Sequence, residues 1–388
     1  MSEIPLSQPD ITEAEIGAVV NVLRSARLTD GPRQARFEEM VADRCGRRHG
    51  LAVSCGTAGL QLVMRSLEIG PGDEVITSPF SYIAATNAIC HLGAKPVFVD
   101  IEPRSLTLDP EKVNEAITPR TRAILAVDVF GNLAHLGQLA QFSRRHELAL
   151  IEDCSEALGG VYHGTPAGGF GRAGIFGFHP NKQVTTGEGG MVVTDDDRMA
   201  ELVMSLRNQG REVDPNAASE GWDAGVCFPH ERLGYNHRLS EIACALGIAQ
   251  MDRLDEILDA RRRVAAMYIQ RLMDWQELIL PTVESPGGMS WFAFVVRLND
   301  QYGRAERDRI IQGMRRHEIG AADYFPCVHL QPHYRRAFGF HQGAFPVAES
   351  VSARTIALPF FNRLDEPQMD LVCHTLRVMI QREQLMKR

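Results

Sequence analysis

The chain predicts an α/β protein: a large domain built on a mostly parallel central sheet, followed by a smaller α+β C-terminal domain. Three observations carry this. Between about residue 36 and residue 200, short apolar runs alternate with helix-period segments, the signature of βαβ units. After a long helical stretch from Arg238 to about Asp274, the order changes to strand, helix, loop and helix. The 388 residues, 44% of them hydrophobic, suffice for two domains. The division falls at residues 1–250 and 251–388.

The first helix covers Arg36–Arg44 and leads to a strand at Gly50–Ser54, and a second helix covers Ala58–Leu67. Next come a strand at Glu74–Thr77, a helix at Ile83–Leu92 and a strand at Pro96–Asp100. Pro110–Ile117 and Leu136–His146 have helical patterns, and the buried-type runs Ala123–Val127 and Leu148–Ile151 follow them as strands. Continuous apolar strands of this kind are covered on both faces, as in a parallel sheet. From Arg238 the positions Leu239, Ile242, Ala243, Leu246, Ala249, Leu254 and Leu258 keep a helical period with one break. The small domain holds a strand at Ser290–Leu298, a helix at Glu306–His317, a Pro- and His-rich loop at Phe325–His333 and a last helix at Pro367–Gln381.

Net charge is −8 with pI near 5.9, which disfavours nucleic acid and anionic membranes as partners. The first ten residues lack the basic start and apolar core of a signal peptide, and no apolar run approaches a membrane span. Eight cysteines are scattered without C-x-x-C or zinc spacing. Reduced thiols in a cytoplasmic protein are expected, with no metal.

In an open parallel sheet, ligands sit beyond the carboxyl ends of the strands. Four features fall at such ends or beside them. Cys55-Gly56-Thr57-Ala58 opens a helix and serves either as a plain N-cap or as a phosphate cradle of backbone N–H groups. Asp153, in Glu152-Asp153-Cys154-Ser155-Glu156, either caps the next segment or holds a protonated ring nitrogen. Tyr82, after Glu74–Thr77, either packs in the core or stacks on a planar ring. Lys182 lies in Phe178-His-Pro-Asn-Lys182, between the apolar run Ile175–Phe178 and the glycine-rich Thr185–Gly190. It is either a solvated turn lysine or an amine aimed into a cleft, where desolvation favours the neutral, Schiff-base-forming amine. Together a phosphate cradle, an aromatic shelf, a carboxylate for a ring nitrogen and a lysine for an aldehyde describe one ligand, pyridoxal 5′-phosphate.

Two other motifs are set aside. Gly169-Phe-Gly171-Arg-Ala-Gly174 matches a dinucleotide G-x-G-x-x-G, but a loop precedes it and a strand-like run follows, the reverse of the required context. Asp195-Asp196-Asp197 reads as a solvated turn, since three consecutive acids do not converge easily on one ion.

With these residues in place the chain resembles the DegT/DnrJ/EryC1/StrS sugar aminotransferases, pyridoxal phosphate enzymes of the aspartate aminotransferase-like fold type I. The resemblance runs from about residue 3 to residue 375. Its markers are Leu28-Thr29-Asp-Gly31, Ser54–Ala58, Gly93–Asp100, Ile151–Cys154, Phe178–Lys182 with Thr185–Gly190, Leu206–Gly210, Gly234–Arg238 and Leu358-Pro359. It implies that Lys182 forms the Schiff base, Asp153 pairs with the pyridine nitrogen, Gly56, Thr57 and Ala58 bind the phosphate, and Tyr82 stacks on the ring. It also implies that Asn236 reaches the phosphate of a neighbouring subunit, making a homodimer with shared active sites. Thr29, Tyr324 and His329 are expected near the sugar. Two positions depart from the family pattern. Gly177 stands where many members carry a phosphate-binding serine. Glu156 stands where glutamine or histidine often contacts the phenolic oxygen, so it must be protonated or face away. Relatives that act as sugar dehydratases carry histidine in place of the lysine, so Lys182 favours transamination. The implied reaction moves an amino group from an amino acid, L-glutamate, to a nucleotide-linked 4- or 3-keto-6-deoxyhexose, in polysaccharide or secondary-metabolite biosynthesis. The alternatives are a glutamine-dependent keto-inositol aminotransferase and a non-catalytic pyridoxal phosphate-binding regulator.

Overall fold

The computed structural model describes residues 3–211, 229–283 and 287–387. Helices α1 (Glu13–Leu23) and α2 (Pro32–Cys45) precede strand β1 (His49–Val53). The alternation continues through α3 (Gly56–Ser66), β2 (Glu74–Thr77), α4 (Ala84–His91), β3 (Lys95–Phe98), α5 (Pro110–Glu115), β4 (Thr121–Val127), α6 (Leu136–Arg145) and β5 (Ala149–Asp153). A short ladder, β6 (Val161–Tyr162) with β7 (Thr165–Pro166), precedes β8 (Ala173–Gly177), β9 (Gly190–Thr194) and α7 (Asp197–Arg207). Beyond residue 229 stand α8 (Glu241–Asp252), α9 (Leu254–Leu272), β10 (Leu278–Ile279), β11 (Phe294–Leu298) and α10 (Arg304–Arg316). Last come α11 (Pro332–Phe338), α12 (Pro346–Ser352), β12 (Thr355–Leu358) and α13 (Glu366–Met386).

Seven strands form the central sheet in the order β1-β9-β8-β5-β4-β2-β3. Neighbours from β3 to β8 pair in parallel, and β9 runs antiparallel to both β8 and β1. Side chains alternate between two apolar layers, as the two-residue period of a strand requires. On β4, Ile124 and Ala126 join Phe37, Leu136 and Leu139 on one face. Ala123 and Leu125 join Leu60, Val63, Ile89 and Val203 on the other. The sheet is therefore sandwiched between helices, which leaves the turns beyond the carboxyl ends of its strands as the usual place for a ligand.

A second sheet, β10-β11-β12, is antiparallel. It packs on α9, α10 and α13 through Tyr268, Phe294, Ile310, Leu376 and their neighbours. The N-terminal segment joins this domain, because Ile4 pairs with Ile319 and the Leu6 carbonyl accepts the Phe360 N–H at 2.8 Å. Helix α9 serves both cores: Leu254 and Leu258 pack with the large sheet, Val264, Ala265, Tyr268 and Leu272 with the small one. The break expected in the 238–274 helix falls at Arg253, whose guanidinium binds Glu15 at 2.8 Å and Glu256 at 3.0 Å.

The structure adds elements the sequence reading left out, among them α1, α7 and β12. The Asp195–Asp197 run is part of α7's start: Asp196 accepts the Met199 N–H at 3.0 Å as its N-cap. Asp195 meets Arg47 at 2.8 Å. The rejected glycine motif also has a use. The N–H groups of Gly168 (2.9 Å), Phe170 (2.7 Å) and Gly171 all point to the buried Glu152 carboxylate. Among the described residues, no helix is long and apolar enough to cross a membrane.

Candidate active site

Strand β8 ends at Gly177, and the chain then turns so that the Lys182 N–H donates to the His179 carbonyl at 2.9 Å. The next residue anchors the turn from below. The Gln183 amide donates to the Glu156 carbonyl (2.6 Å) and to Ser290 Oγ (2.9 Å), and is itself buried. Lys182 thus leaves the loop in a fixed direction. Its side chain is only 14% exposed, with Nζ 3.3 Å from Glu156 Oε1 and 4.0 Å above the Phe292 ring. Of the two readings left open for this lysine, a solvated turn residue does not describe it.

Asp153 closes β5, one strand over. Its Oδ1 accepts the Ser155 hydroxyl (2.5 Å) and N–H (3.2 Å). Burial pushes the Asp153 carboxyl up, while the Ser155 bonds and the charge of Lys182 hold it down. A carboxylate so placed gains by meeting a cation. Glu156 faces inward: Oε2 accepts the Phe130 N–H at 2.7 Å, while Oε1 lies beside Lys182. Burial pushes its carboxyl up as well, against the pull of Lys182. Of the two expectations for Glu156, facing away is excluded.

The third strand end is that of β1. Helix α3 starts there, with Cys55 Sγ accepting the Ala58 N–H at 3.4 Å. The first-turn N–H groups of Gly56 and Thr57 have no intrahelical acceptor, and the helix dipole leaves this end positive. A Cβ on Gly56 would lie 3.2 Å from Ser155 Oγ and 3.5 Å from Gly177 Cα. The turns after β1, β5 and β8 therefore touch at one point, formed by Gly56, Ser155 and Gly177. That set fits pyridoxal phosphate: a positive turn free of side chains, a buried carboxylate in want of a cation, and a lysine amine beside them.

Tyr82 is 65% exposed, so it is not a core aromatic. A run of rings links it to the lysine. Tyr82 lies 6.4 Å from Phe325, which stacks on Tyr324 at 4.8 Å, and Tyr324 lies parallel to Phe292 at 6.3 Å. Tyr324 is thus brought to the lysine group. His329 is not. It is fully buried among Phe98, Phe340 and Phe345, with Nε2 3.1 Å from Glu349 Oε1, and it shows no surface to a ligand. The resemblance placed it near the sugar, but packing against this aromatic cluster holds it inside. Thr29 and Asn236 are exposed, bridged to Ser240 and Asn208 respectively.

Sequence reasoning missed a buried layer beneath Asp153. Asp128, Glu152 and Cys154 lie within 4.8 Å of one another, all buried. The Asp128 N–H donates to the Asp153 carbonyl at 3.1 Å, so the layer backs directly onto the site. Burial drives the Glu152 carboxyl up to about 7 against its three backbone N–H bonds. Asp128 is pushed well above the carboxylate range by burial and by Glu152. Ser155, Gln183, Phe292 and Arg261 were missed too. The first two had a signal: Ser155 stands between Asp153 and Glu156, and Gln183 directly follows Lys182.

A family model described as the DegT/DnrJ/EryC1/StrS aminotransferase family matches residues 9–377. The spore coat polysaccharide biosynthesis protein SpsC of Bacillus subtilis is 33% identical, with 97% of each chain covered. Among solved structures, a putative sugar aminotransferase from Streptococcus pneumoniae in its PMP form superposes with a TM-score of 0.92 at 27% identity, covering 98% of this chain and 99% of that one. DesV of S. venezuelae, in complex with a ketimine intermediate, gives 0.86 at 33% identity, covering 97% and 98%.

Proposed function

The chain belongs to the DegT/DnrJ/EryC1/StrS aminotransferase family, and from that premise we propose how its residues divide the work of a pyridoxal phosphate-dependent sugar aminotransferase. Gly56, Thr57 and Ala58 form the turn that holds the phosphate, with the N–H groups of Gly56 and Thr57 as its donors. Asp153 meets the protonated pyridine nitrogen, Tyr82 covers the ring face, and Lys182 meets the aldehyde carbon. When bound, the cofactor supplies an electron sink conjugated to the Cα of the amino donor. Lys182 Nζ takes the donor's Cα proton as general base. In the second half-reaction it returns a proton to the carbon that receives the amino group. Glu156, 3.3 Å from the amine, fixes its position through a hydrogen bond. Ser155 orients the Asp153 carboxylate.

The observation that carries this reading is the placing of Lys182 Nζ between Glu156 and Phe292, on the turn beside Asp153. The donor we propose is L-glutamate. The acceptor is a nucleotide-linked 4- or 3-keto-6-deoxyhexose, a reading supported by the polysaccharide role printed for SpsC. A homodimer is supported by the exposure of Asn236 together with Leu233 (84%), Tyr82 (65%) and Leu28 (46%), apolar area that a second copy would cover. Asn236 then serves the partner's phosphate. The free thiols among the described residues support a cytoplasmic location.

The test is a visible absorption spectrum of the protein with bound cofactor, titrated with L-glutamate and then L-glutamine. Bleaching of the lysine-bound band by glutamate is expected. Bleaching by glutamine alone selects a keto-inositol acceptor, and a band that resists both donors points to a binding role without transamination.

A further inference from the structure

A buried arginine outside the cofactor-binding set reaches the lysine from behind. Arg261 lies on α9 and is 4% exposed. One terminal nitrogen donates to the Lys182 carbonyl at 3.0 Å. The other donates to the carbonyls of Trp291 (3.3 Å) and Phe292 (3.2 Å). Its Cζ stands 5.5 Å over the Phe360 ring, and its Nε has no hydrogen-bond partner among the described residues. Among the described residues, no carboxylate lies within ion-pair distance of this guanidinium. Burial pulls it down to about 10, with Asp10 opposing, so it is still charged at neutral pH.

Burying a cation without a paired anion costs stability, and an apolar side chain of similar size would join α9 to the small domain without that cost. What the arginine adds is direction: a rigid planar fork whose N–H groups choose among main-chain carbonyls. The choice made here is specific. Lys182 supplies the main-chain end of the reactive side chain. Phe292 supplies the ring on which the amine rests, 4.0 Å from Nζ. One guanidinium therefore sets the spacing between the lysine's backbone and the surface under its amine.

We propose that Arg261 is a positioning residue for Lys182, acting at both ends of the side chain through the carbonyls of Lys182 and Phe292. The proposal rests on the reading of Lys182 as the lysine that meets the cofactor's aldehyde. Because α9 packs into both domain cores, the amine takes up its working position only when the two domains are docked.

The test uses the full-length protein freed of cofactor. Pyridoxal phosphate is added, the lysine adduct is trapped with borohydride at successive times, and the labelled peptides are mapped. Lys95, Lys112 and Lys387, all half exposed, report non-specific capture in the same sample. Wild type is expected to trap first at Lys182. Arg261→Lys keeps the charge but offers a single ammonium in place of the fork. It is expected to slow capture at Lys182 by about 10- to 100-fold, the scale of a misplaced reacting group. Capture at the other lysines, far-UV circular dichroism and the unfolding midpoint should stay near wild type. Arg261→Gln should be at least as slow. Wild-type capture rates in both variants would overturn the proposal. If neither arginine variant folds, Phe292→Leu decides: slowed capture supports action through the ring, and an unchanged rate overturns it. Wild-type capture at a lysine other than Lys182 removes the underlying reading of that lysine, and the proposal with it.

Discussion

Gly177→Ser puts a hydroxyl at the point where three strand-end turns meet. The Cβ would lie 3.3 Å from Ser155 Oγ and 3.4 Å from Ser155 Cβ, so its neighbours need to give by only a few tenths of an ångström. Gly177 does not sit in left-handed backbone, so a side chain brings no strain in φ. The new hydroxyl sits beside the start of α3, and it can donate to a phosphate held there. A hydrogen bond to a charged group contributes about 1.5–3 kcal/mol, and part of that offsets the close contact with Ser155. A net gain of about 1.4 kcal/mol is tenfold in affinity. Titrating cofactor-free protein with pyridoxal phosphate, followed by absorbance, measures it. Gly177→Ala adds the same Cβ without the hydroxyl, so the ratio of the two dissociation constants isolates the donor. Serine binding about tenfold tighter than alanine is expected. Equal affinities for the two variants would refute a phosphate seat at Gly56, Ser155 and Gly177.

Lys182→Ala should abolish the lysine-bound visible band and lower amino transfer by at least about 100-fold, the scale of a lost general base. Asp153→Asn keeps the shape that Ser155 grips but loses the charge, and kcat should fall about 100-fold with little change in secondary structure. Stability should carry the mark of Glu152. Its folded-state value is raised from 4.5 to about 7, so its favourable contribution is full below pH 4.5 and lost as pH rises through 7. At about 1.4 kcal/mol per pH unit, that loss is as much as about 3 kcal/mol. The unfolding midpoint of wild type, less that of Glu152→Gln, should therefore fall between pH 5 and pH 8. A flat difference would show that Glu152 is ionised throughout. Leu233→Asp, at the 84% exposed site near Asn236, should convert a homodimer to monomer in light scattering, and a wild-type protein that is already monomeric would rule out the shared site.

Much of this was legible in the chain because parallel sheets write themselves plainly. Strands buried on both faces are unbroken apolar runs, and the turns beyond them carry the chemistry, so Gly56, Asp153 and Lys182 could be named from their places at strand ends. Glu74–Thr77 was read to the residue. What escaped were features that exist only through long-range contact. Gln183 matters because Ser290 lies against it, and Arg261 because three carbonyls from two distant segments meet it. Asp128 and Glu152 were hidden differently. Each sits at or near the end of an apolar strand, where a single acid reads as a boundary, and only the folded sheet lays them side by side beneath Asp153. The expectation for His329 came from the resemblance, and its Pro-rich loop gives no local sign of the Phe98 and Phe345 rings that close over it.

The amide of Gln183 joins the lysine turn to Ser290, 107 residues further along the chain. Translation runs in that direction at about 5–20 residues per second, so Ser290 is added roughly 5–20 s after the lysine turn. From residue 194 on the seven-stranded sheet is complete in sequence, yet until residues 290 and 292 are added the turn carrying Lys182 lacks its anchor and its amine lacks the ring it rests on. A newly made chain therefore passes through a stage in which the aldehyde-capturing group exists but is not aimed. Residues 290 and 292 supply both contacts, so a chain cut short before residue 290 carries Gly56, Asp153 and Lys182 but lacks what holds the lysine turn and its amine in place.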